Sequence, residues 1–188
     1  MLTLKFDPFP ILTTERLVLR RLSVGDGPQI FHHRSDPALN QYLDRAPCAS
    51  VDEAIAFIRM VNNAIDENNN VTWGITLKDS DTIIGTIALW RIEKEHYRAE
   101  LGYTLEAGHQ GKGLMSEALA VVLDYAFGKM GLHSIEANIN PANTPSKVLL
   151  ERHGFIREAY FRENYYHNGR FFDSAIYSLL TPSARNIT

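Results

Sequence analysis

The chain has 188 residues, 45% of them apolar, which is enough to close one substantial hydrophobic core and predicts a single domain over 1–188. A formal net charge of −3 supplies no basic footprint for nucleic acid, although seven histidines can shift that balance in mildly acidic solution. Cys48 is the only cysteine, which excludes an intramolecular disulfide and a cysteine-based zinc site, so chemistry without a metal is expected.

Met1–Pro10 lacks a basic region followed by an apolar signal core, and no later run approaches the roughly eighteen apolar residues of a spanning helix. The expectation is a cytoplasmic protein with no membrane partner. Glu15–Leu22 alternates, with Leu17 and Leu19 on one side and Arg16, Val18 and Arg20 on the other, and reads as a first strand. Gly27–Ser35 is a weak helical segment. Ser50-Val51-Asp52-Glu53 has capping-box spacing ahead of the apolar stripe Ile55, Ile58 and Ile65, and predicts a firmer second helix. Asn68-Asn69-Asn70 is a polar loop. Val71–Leu77 and Thr82–Trp90, rich in β-branched and aromatic residues, flank the turn-like Lys78–Asp81 and form an antiparallel hairpin, which Arg98–Leu105 extends.

Gln110-Gly111-Lys112-Gly113-Leu114-Met115 lies between that last strand and a helical run, Leu114–Lys129. The run is apolar except for a narrow polar line through Glu117 and Asp124, as expected of a helix packed largely inside, and Gly128 and Gly131 are placed to end it. A helix start presents unpaired N–H groups and the positive end of its dipole, so it can hold a phosphate or pyrophosphate. The glycines permit unusual dihedrals and close approach of a bulky anion. Two rival anion motifs fail: a Walker loop needs Ser or Thr where Gly113 stands, and a dinucleotide fingerprint begun at Gly111 meets Ser116 in place of its third glycine. The plainer alternative is a glycine loop that only permits close packing. His133–Asn140 reads as a strand, and Thr144 as N-cap with Pro145 at the first helical position starts another helix, which Gly154 stops. Asn168-Gly169 makes a tight turn before a final strand, Phe172–Leu180. The order predicts an α+β fold with a mixed sheet whose middle carries the glycine turn.

These pieces in this order resemble the GNAT N-acetyltransferases, in the branch of the RimJ and RimL ribosomal-protein acetyltransferases. The resemblance runs from about Thr14 to Leu180 and rests on Thr14-Glu15-Arg16-Leu17-Val18-Leu19-Arg20, Glu100-Leu101-Gly102-Tyr103, the turn from Gln110 to Ala118, Asn143-Thr144-Pro145-Ser146, Leu150-Glu151-Arg152-His153-Gly154-Phe155, and Asn168-Gly169-Arg170 with Asp173. It implies the GNAT fold, a mostly antiparallel sheet with a splayed middle strand flanked by helices. It also implies direct transfer from acetyl-CoA to a primary amine, foremost the α-amine of a protein N-terminus such as a ribosomal protein's. A two-fold homodimer would accord with the resemblance.

By the same resemblance, Gln110, Gly111, Lys112, Gly113, Leu114, Met115 and Ser116 surround the pyrophosphate; Met115 stands where a small residue is usual, so its N–H donates while its side chain must point away. Lys112 either adds a charge contact or stays solvated. Tyr103, Thr104 and Leu105 offer backbone groups to the pantetheine arm, unless theirs is an ordinary central strand. Glu100 is the first choice as base acting through water, against an ion pair with Arg98 or Arg91; His109 is an alternative base, with a positional role favoured by its place. Many members carry a tyrosine to protonate the departing thiolate where this chain has Leu150; Ser146 matches a serine given that role in RimL-like members, against a plain helix-start serine. Asn143 contacts the cofactor or only shapes the turn. Tyr160, Phe161, Tyr165, Tyr166, His167 and Phe171 either wall the acceptor cleft or pack a flanking strand, and Cys48 is a bystander. Acceptor choice falls to the loops at 36–49 and 93–97. Two other readings stay open: acetylation of a small amine, as by an antibiotic or polyamine acetyltransferase, and a non-catalytic acyl-CoA-binding module.

Overall fold

The computed structural model describes residues 1–43, 45–167 and 169–182. Its elements in chain order are β1 (Leu12–Thr13), β2 (Leu17–Arg20), α1 (Gly27–Ser35), α2 (Pro37–Asn40), α3 (Val51–Asp66), β3 (Val71–Leu77), β4 (Gly85–Glu93), β5 (Arg98–Leu105), α4 (Leu114–Tyr125), β6 (Ser134–Ile139), α5 (Thr144–Arg152), β7 (Ile156–His167) and β8 (Arg170–Leu180). The eight strands form one sheet in the order β1-β2-β3-β4-β5-β6-β8-β7. Only β5 and β6 run parallel, because the α4 crossover joins them; the other neighbours are antiparallel.

Alternation along the strands divides the core in two. Leu17, Leu19, Trp73, Ile75, Ile87 and Leu89 point to the face covered by Leu114, Ala118, Leu119 and Val122 of α4, and these residues form one continuous cluster. On the other face α1 and α3 bury Ile30, Ala54, Ile58 and Val61 with Leu22 and Ile83. Gly74, between Trp73 and Ile75, faces this second cluster: a Cβ there would lie 2.5 Å from Ile83 and 2.7 Å from Leu22. Trp73 is fully buried, and its indole N–H donates to the Pro10 carbonyl at 2.7 Å, so no polar group is stranded. Truncating a fully buried residue such as Leu119 to Ala would cost about 2–5 kcal/mol.

The α3 cap follows its sequence signature with one change. Ser50 Oγ accepts from the Glu53 N–H at 3.2 Å, but the Glu53 carboxylate accepts from Ala49 N–H at 2.8 Å, one residue before the cap. Elsewhere the sequence boundaries shift. The first strand contracts from Glu15–Leu22 to β2, because Thr14 and Arg16 turn to α4 and Leu22 enters the second cluster. The strand expected at Thr82–Trp90 runs Gly85–Glu93 instead: Ile83 serves the second cluster, and the connection from β3 is correspondingly longer than Lys78–Asp81. Gly128 does not end α4; the chain passes through it in a π-turn, Ala126–Met130, which Gly131 terminates at φ 72°. Thr144 is not the N-cap of α5. Asn143 is, its Oδ1 accepting from Ser146 N–H at 3.1 Å, which makes Thr144 the first helical residue. The last strand begins at Arg170, and its partner β7 was not expected as a strand. Asn168 of the anticipated turn lies outside the described residues; Gly169 has φ 84°. None of the described helices is long and apolar enough to cross a membrane.

Candidate active site

The parallel pairing of β5 with β6 covers only Arg98–Ser134, Ala99–Ile135 and Glu100–Glu136. Beyond Glu100 the two strands part, while β5 stays paired to β4 through Leu105. The opening frees one edge of β5 over Leu101–Leu105. A cavity of about 350 Å³ fills it, bounded by the end of β5, the glycine turn, the start of α4, the start of α5 and the segment Ala38–Leu43. Of the residues marked from sequence, Tyr103, Thr104, Leu105, Gln110, Gly111, Gly113, Leu114, Met115, Ser116, Asn143 and Ser146 meet around it. Glu100 and Lys112 do not line it.

The turn is held in a shape that only glycine adopts readily. Gly111 and Gly113 have φ of 73° and 77°, in the left-handed region, although a Cβ at Gly111 would meet nothing within 4 Å. Their requirement is therefore dihedral and not steric in the free protein. Gly113 caps α4 without a side chain, and the first backbone bond into the helix is from Glu117 N–H to the Gly113 carbonyl at 3.0 Å. No side chain among the described residues caps the N–H groups of Leu114, Met115 and Ser116. They line the cavity with the positive end of the α4 dipole behind them, an arrangement that fits a pyrophosphate. The Met115 side chain belongs to the main core and is 9% exposed, so the thioether is directed inward and leaves the N–H side open. Lys112 turns its ammonium onto the Gly108 carbonyl at 2.7 Å.

A clamp that the sequence reading did not identify fixes this turn. Glu117 accepts hydrogen bonds from the Thr14 hydroxyl, from Arg16 N–H at 2.8 Å and from Arg16 Nε at 2.7 Å, while Arg16 Nη1 donates to the Lys112 carbonyl at 3.0 Å. Burial raises the Glu117 pKa, but these donors outweigh it and hold the carboxyl below its ordinary value. The signal was present in Thr14-Glu15-Arg16 and in the lone acid of the first helical turn, but their separation along the chain concealed the pairing. Gln110 adds a second tie, donating from Nε2 to the Leu105 carbonyl at 2.8 Å. Ser116 Oγ and His153 Nε2 share a bond at 2.8 Å that joins α4 to the end of α5; burial lowers the His153 pKa and favours the neutral ring.

Glu100 occupies the sheet face opposite Tyr103, as alternation along β5 requires. It lines a second cavity of about 130 Å³ with Arg91, Glu93, Arg98, Ala99 and Glu136. Arg91 Nη1 donates to its carboxylate at 2.9 Å, so the ion pair weighed from sequence is present, with Arg91 as partner. Arg98 pairs with Glu93 at 2.8 Å. Burial is the main cause raising the Glu100 pKa, Arg91 opposes it, and Glu136 adds repulsion. His109 does not line the main cavity: its Nδ1 lies 3.0 Å from Glu106, which also approaches His32 at 3.7 Å. Leu150 is fully buried in the main core. Cys48 is buried in the α1–α3 core, its Sγ donating to the Ser50 carbonyl at 3.2 Å. Tyr160, Phe161, Tyr166 and Phe171 are exposed on the β7–β8 hairpin, and with Tyr165 and His167 they stand outside the main cavity. Tyr165 instead stacks on Phe172 at 5.5 Å.

The family description "Acetyltransferase (GNAT) domain" matches residues 16–156. The chain belongs to the GNAT acetyltransferases. It is 37% identical over 169 residues to the uncharacterized N-acetyltransferase p20 of Bacillus licheniformis, covering 90% of this chain and 95% of that one. It is 28% identical over 179 residues to the [ribosomal protein uS5]-alanine N-acetyltransferase of Escherichia coli, covering 91% of each. The crystal structure of spermidine N-acetyltransferase from Vibrio cholerae, in complex with CoA and spermine, superimposes with a TM-score of 0.80 at 27% identity over 92% of this chain and all of that one, 100%. This GNAT chain is an N-acetyltransferase similar to the RimJ/RimL branch, and acetyl-CoA is its acetyl donor. The uncapped α4 amides, the left-handed glycines and the freed β5 edge suit that donor.

Proposed function

We propose that this acetyltransferase modifies a protein N-terminal α-amine, with a ribosomal-protein-like acceptor, by direct transfer. The charge count of the second cavity carries the reading. Arg91 and Arg98 face Glu93, Glu100 and Glu136, and two ion pairs leave one carboxylate, Glu136, to balance a single ammonium. A polyamine brings several positive charges, more than this single surplus carboxylate balances. The uS5-alanine acetyltransferase relative, similar along 91% of both chains, supports the same acceptor class.

The donor lies along the freed edge of β5 with its pyrophosphate on the α4 amides, and the acceptor enters from the Glu100 face where β5 and β6 part. The amine must be neutral to attack. An α-amine has an ordinary pKa of about 7.7–8.0, so near neutrality the base has a modest task. Glu100 takes that proton through water, and its burial makes the carboxylate a better acceptor than an exposed one. Ser146, 6% exposed in the wall of the donor cavity, donates a hydrogen bond to the sulfur as the C–S bond breaks. The test compares kcat/KM for acetylation of N-terminal peptides and of spermidine. The proposal expects the peptide to be preferred by at least about tenfold, and a preference for the polyamine would overturn it.

A further inference from the structure

Leu150, where the family resemblance implies a proton-donating tyrosine in many members, is fully buried among apolar residues. A phenol nevertheless reaches the serine assigned to the sulfur, from another element. Tyr103, two residues before the end of β5, crosses the cleft to α5, where its hydroxyl lies 2.5 Å from Ser146 Oγ. Both residues line the donor cavity. The Ser146 N–H is already engaged by Asn143, so the α5 cap fixes where this hydroxyl stands. We propose that Tyr103 is a positioning residue that donates its phenolic hydrogen to Ser146 Oγ and so aims the serine hydrogen at the sulfur of CoA.

The direction of the bond follows from acidity. A phenol is a far stronger acid than an aliphatic alcohol and is the better donor of the two, which leaves Ser146 Oγ as acceptor and its own hydrogen free for the cavity. Burial pushes the Tyr103 pKa up to about 12, so the phenol keeps its proton throughout the working range. A hydroxyl that accepts one hydrogen bond becomes a stronger donor in the next, and this bond is part-buried. In the reaction the amine nitrogen bonds to the thioester carbonyl carbon and its proton passes to the base. The C–S bond breaks with its electron pair remaining on sulfur. Ser146 stabilises that thiolate by a hydrogen bond, and no proton leaves Tyr103. The inference rests on the assignment of Ser146 made above, but not on the identity of the acceptor.

The test uses the full chain, Tyr103→Phe, Ser146→Ala and the double variant, each checked for an unchanged melting transition. The first readout is the thiol pKa of bound CoA, followed by ultraviolet thiolate absorbance and needing no acceptor. The expected order is lowest in the wild type, with Tyr103→Phe and Ser146→Ala both raised and the double variant no higher than Ser146→Ala. The second readout is kinetic. Tyr103→Phe should lower kcat about tenfold with KM for acetyl-CoA within about twofold, and adding it to Ser146→Ala should cost nothing further. A bound thiol that titrates alike in Tyr103→Phe and wild type, or losses that multiply in the double variant, would overturn the relay. A thiol pKa that Ser146→Ala leaves unmoved would overturn the serine assignment as well, whereas a preference for polyamines would overturn only the acceptor.

Discussion

The two cavities flanking the splay are built from different materials. The donor side offers backbone groups, namely the freed edge of β5, two left-handed glycines and the amides that open α4, beside side chains such as Tyr103 and Ser146. The Glu100 side is mostly charged side chains, two arginines and three glutamates. Backbone groups keep their geometry when side chains change, so a donor common to every turnover is met by fixed amides. Side chains can be exchanged one at a time, which, if the acceptor binds on the Glu100 side as proposed, lets it vary without disturbing the donor.

The sharpest way to break that contrast is at Gly113. Val at this position has to adopt φ 77°, which is strained for any β-branched residue by roughly 1–3 kcal/mol, and moves the amides that follow. Gly113→Val should abolish the calorimetric heat of CoA binding; retained affinity within tenfold would show that the turn does not set the donor site. On the other side, Glu100→Gln should lower kcat by about 10- to 100-fold with little change in CoA affinity. Because burial raises the Glu100 pKa, a limb set by Glu100 in the wild-type kcat profile at saturating acceptor lies above the ordinary glutamate value of 4.5, apart from the titration of the free amine seen in kcat/KM. The proposed base would be lost as pH falls through that raised pKa. A Glu100→Gln profile with the same acid limb would assign the limb to another group.

Smaller effects separate shape from charge. Glu136→Gln removes the carboxylate that no ion pair among the described residues engages in the proposed acceptor cavity, and should raise KM for a peptide several-fold while leaving KM for acetyl-CoA alone. Glu117→Gln loosens the clamp on the turn. Arg16 is 46% exposed, so solvent screening limits the loss to about 1 kcal/mol, read as a lower melting temperature and a few-fold weaker CoA binding. The sign of its pH dependence is defined. The folded Glu117 pKa is depressed, so its contribution is present above the unfolded value and fades as pH falls through the folded one. Melting temperatures of wild type and variant should therefore converge in acid, below the ordinary value of 4.5.

The asymmetry between the cavities also governed what could be read from the sequence. Gly111, Gly113 and the apolar run after them are a local pattern, and the strand, turn and helix they mark are adjacent in space as in sequence. The donor residues on α5 came from the family resemblance, since Ser146 lies 43 positions from Tyr103, and no periodicity reveals that their hydroxyls touch. Glu117 was visible only as a polar interruption of α4, because its partners Thr14 and Arg16 lie about a hundred residues earlier. β7 escaped for another reason. Its residues are mostly exposed on both faces, and bulges near Arg157 and between Phe161 and Tyr165 break the alternation on which strand assignment depends. The shift of the α5 cap from Thr144 to Asn143 is a single-residue choice between two good capping side chains, decided by which oxygen reaches the Ser146 N–H.

The most direct test follows backbone amide chemical shifts while CoA is titrated into the full chain. The account predicts the largest changes at Gly111, Gly113, Leu114, Met115 and Ser116, with further changes along Leu101–Leu105 and little at Glu93 or Glu136. Shifts concentrated on the Glu93–Glu136 face, with the amides of the turn unmoved, would contradict it.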